Sequence, residues 1–244
     1  MSKSRKVQLE KKIMIFLSSG VFIFSGLYAS NVQAAPVFSS GSASDSTVAG
    51  VNNTASANSS SAFGYFNTAG GLASSAFGWS NTASAENASA FGYVNEASGL
   101  ASSAFGFSNT ASGDNANAFG YNNIASGSKS NVFGTGNTVS GSSSTAVGTA
   151  NEVAAENSTA IGNNNTISSS AENSAALGNN ISISLKDSVA LGNNSTATAI
   201  NSVTGNSSYT KWAGVSDVVG VVSVGSSGAT RQIQNVAAGQ VSAT

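Results

Sequence analysis

Apolar and polar residues along this chain fall into columns fourteen residues apart. Two positions before a recurring glycine stands a small apolar residue: Val48, Ala62, Ala76, Ala90, Ala104, Ala118, Val132, Ala146, Ala160, Ala176 and Ala190. The next position is Phe63, Phe77, Phe91, Phe105, Phe119 and Phe133, then Val147, Ile161, Leu177 and Leu191. The glycines themselves run from Gly50 to Gly162 in steps of fourteen. Gly178 follows after a two-residue insertion, and Gly192 restores the step. Three positions after glycine is Asn in nine consecutive units, Asn53 to Asn165, and five after it is Ala, Val or Ile throughout. Residues 62–89 and 90–117 match at 21 of 28 positions, so a double unit looks duplicated.

A pair of helices needs a repeat longer than about 30 residues. Fourteen residues suit one short coil, with two strands of about five residues and two tight turns. The glycine lets the chain turn at φ > 0. The Asn column suits the other corner because Asn tolerates left-handed backbone. Asn67, Asn81, Asn95, Asn109, Asn123 and Asn137 are placed to hydrogen-bond from coil to coil as an amide ladder. Successive coils then pair by parallel β bonds, and eleven of them at about 4.8 Å make a stack of roughly 50 Å.

Such a coil encloses little core and must bury its faces against neighbours. If the Phe column faces the coil interior, alternation along the strand puts the small column outside. On that reading Ala62, Ala76, Ala90, Ala104, Ala118, Ala146 and Ala160 form a smooth stripe for close approach of another copy. Homo-oligomerisation along this stripe is the expectation.

Composition acts mainly by exclusion. Charged residues are 8 % of 244, and Cys and His are absent. There is no disulfide framework, no thiolate or imidazole metal site and no nucleophile–histidine pair, so neither a cofactor nor catalysis is expected. A net charge of −1 offers no basic patch for nucleic acid. Five of the nine basic residues lie in the first twelve positions, followed by an apolar run over 13–27 and by Val32-Gln33-Ala34. That order predicts a secretory signal peptide over 1–34. Removing it leaves four basic and nine acidic side chains on an exported, mildly acidic chain. The mature region contains no segment expected to insert in a membrane.

The recurring Ser-x-Ala-hydrophobic-Gly-x-x-Asn pattern, as in Ser75-Ala76-Phe77-Gly78, resembles the head of a trimeric autotransporter adhesin of the YadA-like type. The segment Val221-Val222-Ser223-Val224-Gly225, followed by Arg231-Gln232-Ile233-Gln234-Asn235-Val236-Ala237-Ala238-Gly239, resembles the neck of the same adhesins. The resemblance implies an all-β fold: a left-handed parallel β-roll of 14-residue coils, assembled as a homotrimer, with a neck leading toward a coiled-coil stalk. It divides the chain into a signal peptide (1–34), a mature N-terminal segment (35–42), head repeats (43–198), a transitional segment (199–220) and an incomplete neck (221–244). Heptads and anchor strands do not follow residue 244, so a fragment or truncated reading frame is expected, with a released, secreted head as the other reading. The implied location is the cell surface or outer membrane. The implied partners are two further copies and host matrix proteins such as collagen, fibronectin or laminin.

Two outward features are candidates for binding. The residue after glycine is Tyr65, Trp79, Tyr93, Phe107 and Tyr121 in five consecutive coils, then Thr135, Thr149, Asn163, Asn179 and Asn193. Tyr and Trp are frequent interface anchors, so the aromatic stripe reads as ligand-facing. The competing reading is a ladder packed within or between subunits. Four after glycine, Thr54, Thr68, Thr82, Thr110, Thr138, Thr166 and Thr196 form an array that Glu96, Ile124 and Glu152 interrupt, which weakens an ice-binding reading. Glu86, Asp114, Glu156, Glu172 and Asp187 read as solvated loop charges. Arg231, near the neck, needs partners such as carbonyls at strand ends or a bound anion. The functional expectation is a surface adhesin that binds a repetitive polymer by avidity. The alternative is a self-associating surface protein, promoting autoaggregation or biofilm without a dedicated ligand.

Overall fold

The computed structural model describes residues 39–200 and 219–235. The expected signal peptide, residues 35–38 and 201–218, and the end of the neck from 236 lie outside the described residues. Each coil contributes a five-residue strand that runs just past the glycine and a two-residue strand after it. Ser61–Tyr65 is followed by Thr68–Ala69, and Ser75–Trp79 by Thr82–Ala83. The long strands, with Ser39–Ser40 and Val222–Ser223 at the two ends, form a 13-stranded sheet and the short ones an 11-stranded sheet; the described residues contain no helix. Coil pairs with coil in parallel and in strict register, Ala62 with Ala76, Phe63 with Phe77, Gly64 with Gly78 and Tyr65 with Trp79. The second strand is shorter than expected because corners consume the rest of the coil. The two-residue insertion is absorbed in the turn after Thr166–Ile167, and register resumes with Thr159 opposite Ala175.

The phase of the long strand is opposite to the sequence expectation. Ala62, Ala76, Ala90, Ala104, Ala118, Ala146 and Ala160 are completely buried inside the single chain. They face the equally buried column of Ala69, Ala83, Ala97, Ala111 and Ala125 from the short strands. They are therefore core and not a stripe between copies. The reason is width: the inner faces of the two strands stand close enough that Ala, Val or Ile fills the gap, and a phenyl ring does not fit. A shift of one residue reverses every side chain, so the Phe column lies outside.

The corners also differ from expectation. Left-handed residues stand two and nine positions after glycine, as Phe66 (φ 57°) and Ala73 (φ 54°) do in one coil and Val94 (φ 55°) and Ala101 (φ 52°) in another. The Asn column does not occupy these corners. Each left-handed non-glycine costs roughly 1–2 kcal/mol, which the repeated inter-coil bonds offset. The repeating glycines hold φ between +91° and +146°. At Gly64 a Cβ would stand 2.1 Å from the carbonyl oxygen of Gly78, so strain and crowding both exclude a side chain.

The Asn column points inward and does form the ladder. Each buried amide Nδ2 donates to the Oδ1 of the preceding coil's Asn at 2.8–3.0 Å. That same Oδ1 also accepts the backbone N–H of the following Asn, as Asn81 Oδ1 does from Asn95 at 3.0 Å. The Nδ2 further reaches the carbonyl four residues back and the glycine carbonyl of the next coil, Phe91 at 2.9 Å and Gly106 at 2.7 Å for Asn95. One side chain thus ties three successive coils, bonding backbone groups on its own and the next coil and the Asn side chain of the one before. At the N-terminal edge, Ser39–Ser40 pairs antiparallel with Thr47–Val51 and covers a sheet edge that would otherwise recruit another strand.

Asn95→Ala removes a completely satisfied buried amide and strands several acceptors and donors. It is expected to lower unfolding free energy by about 3 kcal/mol or more, against less than about 0.5 kcal/mol for exposed Ser112→Ala, as measured by denaturant melts followed by circular dichroism.

Candidate functional site

With the small column inside, aromatic side chains have only the outer surface. Phe63, Phe77, Phe91, Phe105, Phe119 and Phe133 stack on one another with ring centroids 4.7–5.4 Å apart and planes within 2–12°. The separation follows the strand spacing of about 4.8 Å, which in-register pairing imposes on every column. Beyond Phe133 the same line continues as Val147, Ile161, Leu177 and Leu191, all exposed. One apolar stripe therefore runs along ten consecutive coils.

The column after glycine forms a second aromatic stack. Tyr65, Trp79, Tyr93, Phe107 and Tyr121 have centroids 4.4–6.3 Å apart and planes within 4–21°. All five remain exposed. The two readings of this column are thus both satisfied in part: the rings pack along the stack and face outward across it. Stacking occupies the ring faces between neighbours, so the column presents ring edges and the hydroxyls of Tyr65, Tyr93 and Tyr121. In later coils the column becomes amide: Asn163 Nδ2 donates to Asn179 Oδ1 at 2.9 Å, and beside it Asn164 Nδ2 donates to Asn180 Oδ1 at 2.9 Å. The Thr column of the short strands faces outward, from half-buried Thr68 and Thr82 to exposed Thr166 and Thr196.

Glu86 and Asp114 sit exposed at matching turns of the duplicated unit. Asp114 Oδ1 accepts the Leu100 backbone N–H at 3.0 Å, and Asp187 Oδ1 accepts from Asn173 Nδ2 at 3.0 Å. Among the described residues, no three His, Cys, Asp or Glu side chains gather as a metal site.

Arg231 has a position that the sequence only outlined. The neck segment does not leave the roll at once. Val222–Ser223 pairs in parallel with Val189–Leu191, and Gly225 O accepts from Thr196 N at 3.0 Å, so 221–225 forms a shortened further rung. This rung cuts across the corner where a full coil would turn. In each preceding coil the carbonyl just after glycine accepts a backbone N–H from the next coil, as Asn179 O does from Asn194. At the last coil that carbonyl is Asn193 O, and its donor is Arg231 Nη2. Arg231 Nη1 donates to Val224 O at 2.7 Å and to Ser195 Oγ at 3.2 Å. Ser195 stands where earlier coils have Asn, and its hydroxyl donates to Leu191 O at 2.6 Å. The guanidinium therefore closes the end of the ladder with strand-end carbonyls, the first of the partners expected for it.

The family model for the YadA head domain repeat (2 copies) matches residues 42–67, 69–94, 97–123, 140–165 and 186–203, half of the chain. The chain belongs to the YadA head family. It is an adhesin-type surface protein, of a family that is not enzymatic, and its head is a parallel β-solenoid of about eleven coils. A comparison with curated proteins finds no significant match. The matched stretches span the coils that carry both aromatic columns, so the candidate binding face belongs to the YadA-like head itself.

Arg231→Ala should open the last rung and leave the middle of the stack intact. Amide exchange at residues 189–197 is expected to accelerate about tenfold or more, with residues 75–121 unchanged, when followed by hydrogen–deuterium exchange mass spectrometry.

Proposed function

We propose that this chain is the ligand-presenting head of a homotrimeric surface adhesin, exported by the signal peptide at 1–34, that attaches to host extracellular matrix polymers such as collagen, fibronectin or laminin. The observation that carries the reading is the pair of outward apolar columns repeated in register on coil after coil. A rod with identical, shallow contact units at constant spacing suits a repetitive polymer, because weak contacts add along the rod and over three chains.

The trimer seam follows from which apolar column runs farthest. The Phe, Val, Ile and Leu column continues where the Tyr and Trp column stops, and burying each such side chain is worth about 1.5–3 kcal/mol. A patch of that length on a monomer marks an interface. Three copies placing this column around a common axis bury it and leave the Tyr and Trp column free for ligand. The seam therefore moves from the Ala stripe of the sequence expectation to the column beside it.

Phe105→Asp with Leu177→Asp is expected to convert trimers to monomers or aggregates in sedimentation velocity. An unaltered trimer overturns the assigned seam. Replacing Tyr65, Trp79 and Tyr93 with Asn, the residue later coils carry there, separates ligand contact from packing. The adhesin reading expects attachment to collagen-, fibronectin- or laminin-coated plates to fall at least tenfold. Unchanged attachment with a large drop in melting temperature assigns the column to packing, and loss of autoaggregation without any matrix attachment supports the self-associating alternative.

A further inference from the structure

The Tyr and Trp column ends abruptly, and its C-terminal end is open. Tyr121 stacks on Phe107 at 5.2 Å. The residue paired with it on the next coil is Thr135, and the one after that is Thr149. The opposite end differs: Phe66 meets Tyr65 at 4.5 Å and 79°. Tyr121 is correspondingly the most exposed of the five rings, at 52 % against 39–43 % for the others.

The surface beside Thr135 is cut back as well. Gly136 stands where earlier coils carry Phe66, Ser80, Val94, Ser108 and Asn122. It holds φ +64°, and nothing lies within 4 Å of where its Cβ would be. Ala150 follows in that line. None of the five following rungs carries a ring in this column, and the first two, Thr135 and Thr149, leave the space beside the Tyr121 face to short side chains over roughly 10 Å at the usual strand spacing. A flat ring needs roughly 3.5 Å of it in van der Waals contact with the phenol face.

The walls of this notch define what fits. One wall is the aromatic face of Tyr121. The floor offers the hydroxyls of Thr135 and Thr149, with Asn122 and Asn163 at its margins. No charged residue occurs in either column from Tyr121 to Asn194. A ligand with a flat apolar face, hydroxyls at its rim and no charge matches all three features. We propose that the notch beneath Tyr121 is a subsite for one pyranose ring of a neutral saccharide, its C–H face stacked on Tyr121 and its hydroxyls bonded to Thr135 and Thr149. The inference rests on the adhesin reading and names the ligand class for one end of the same column.

Saturation-transfer difference NMR on the full chain tests it, with methyl β-D-glucopyranoside, methyl β-D-galactopyranoside and methyl N-acetyl-β-D-glucosaminide as probes. Transfer to ring C–H protons of at least one probe is expected. Tyr121→Asn should reduce it at least tenfold, and Asn is already the natural residue of this column in later coils. Thr135→Val, which removes the bonding hydroxyl at nearly unchanged size, should reduce transfer at least threefold, with the melting temperature unchanged. Tyr65→Asn, at the other end, should leave transfer intact. No transfer to any probe overturns the proposal, as does transfer that survives both Tyr121→Asn and Thr135→Val. Loss in Tyr65→Asn, or displacement of function to an aromatic probe, with p-cresol alone receiving transfer at Tyr121, overturns the saccharide assignment. Matrix attachment that persists without saccharide transfer removes only this subsite, and saccharide transfer without matrix attachment removes only the adhesin reading.

Discussion

The width of a fourteen-residue coil governs the rest of this molecule. Between the five-residue and two-residue strands there is room for one small side chain from each, and Ala76 and Ala83 fill it completely. Two alanines per coil bury little apolar area, so the interior contributes modestly to stability per rung. The aromatic side chains of the coil must then stand outside. The outward aromatic columns are a consequence of that narrowness.

Inter-coil bonding supplies what the core does not. The amide of each ladder Asn binds three successive coils, with its Oδ1 accepting both the backbone and side-chain N–H groups of the next Asn. Because parallel pairing is in register, like residues meet like, and rings stack at the strand spacing without any adjustment. The same repetition makes the ends vulnerable, since a coil with no neighbour leaves its carbonyls and amides unpaired. The antiparallel Ser39–Ser40 at one end and the Arg231 guanidinium at the other answer that problem with different chemistry.

Much of this architecture is legible in the sequence because the repeat exposes it directly. The glycine step gives the coil length and the Asn column gives the ladder, whereas the neck-like segment from Val221, expected to lie beyond the head repeats, adds one more rung through Val222–Ser223. The strand phase was not legible. Alternation shows that the Ala and Phe columns face opposite ways, but only the gap between two strands decides which is inside, and that gap depends on a second strand of two residues. The corners were misplaced for a related reason. Asn tolerates left-handed backbone, yet its amide is worth more pointing inward, where it reaches carbonyls of two coils and the Asn of a third, so Phe66, Ser80 and Val94 take the left-handed positions instead. The role of Arg231 depended on the shortened rung at 221–225, whose pairing with Val189–Leu191 crosses 33 residues of chain and leaves no local signature.

The two halves of the stack solve the narrow-core problem in opposite ways. From Ala62 to Ala125 the interior is alanine and the outside carries two aromatic stacks. From Val132 onward the interior widens to Val139, Val153, Ile167, Ile181 and Ile183, and the outer rings give way to Val147, Ile161 and Leu177 beside an amide line at Asn163 and Asn179. Apolar volume lost inside is thus regained outside, coil by coil. Each offset aromatic pair adds about 0.5–1.5 kcal/mol beyond the area it covers, which suits the half with the leaner interior. The rings of the first half therefore support the coils that hold them, and Tyr121, the last of the column, is stacked on one face only, with Thr135 as its partner on the next coil.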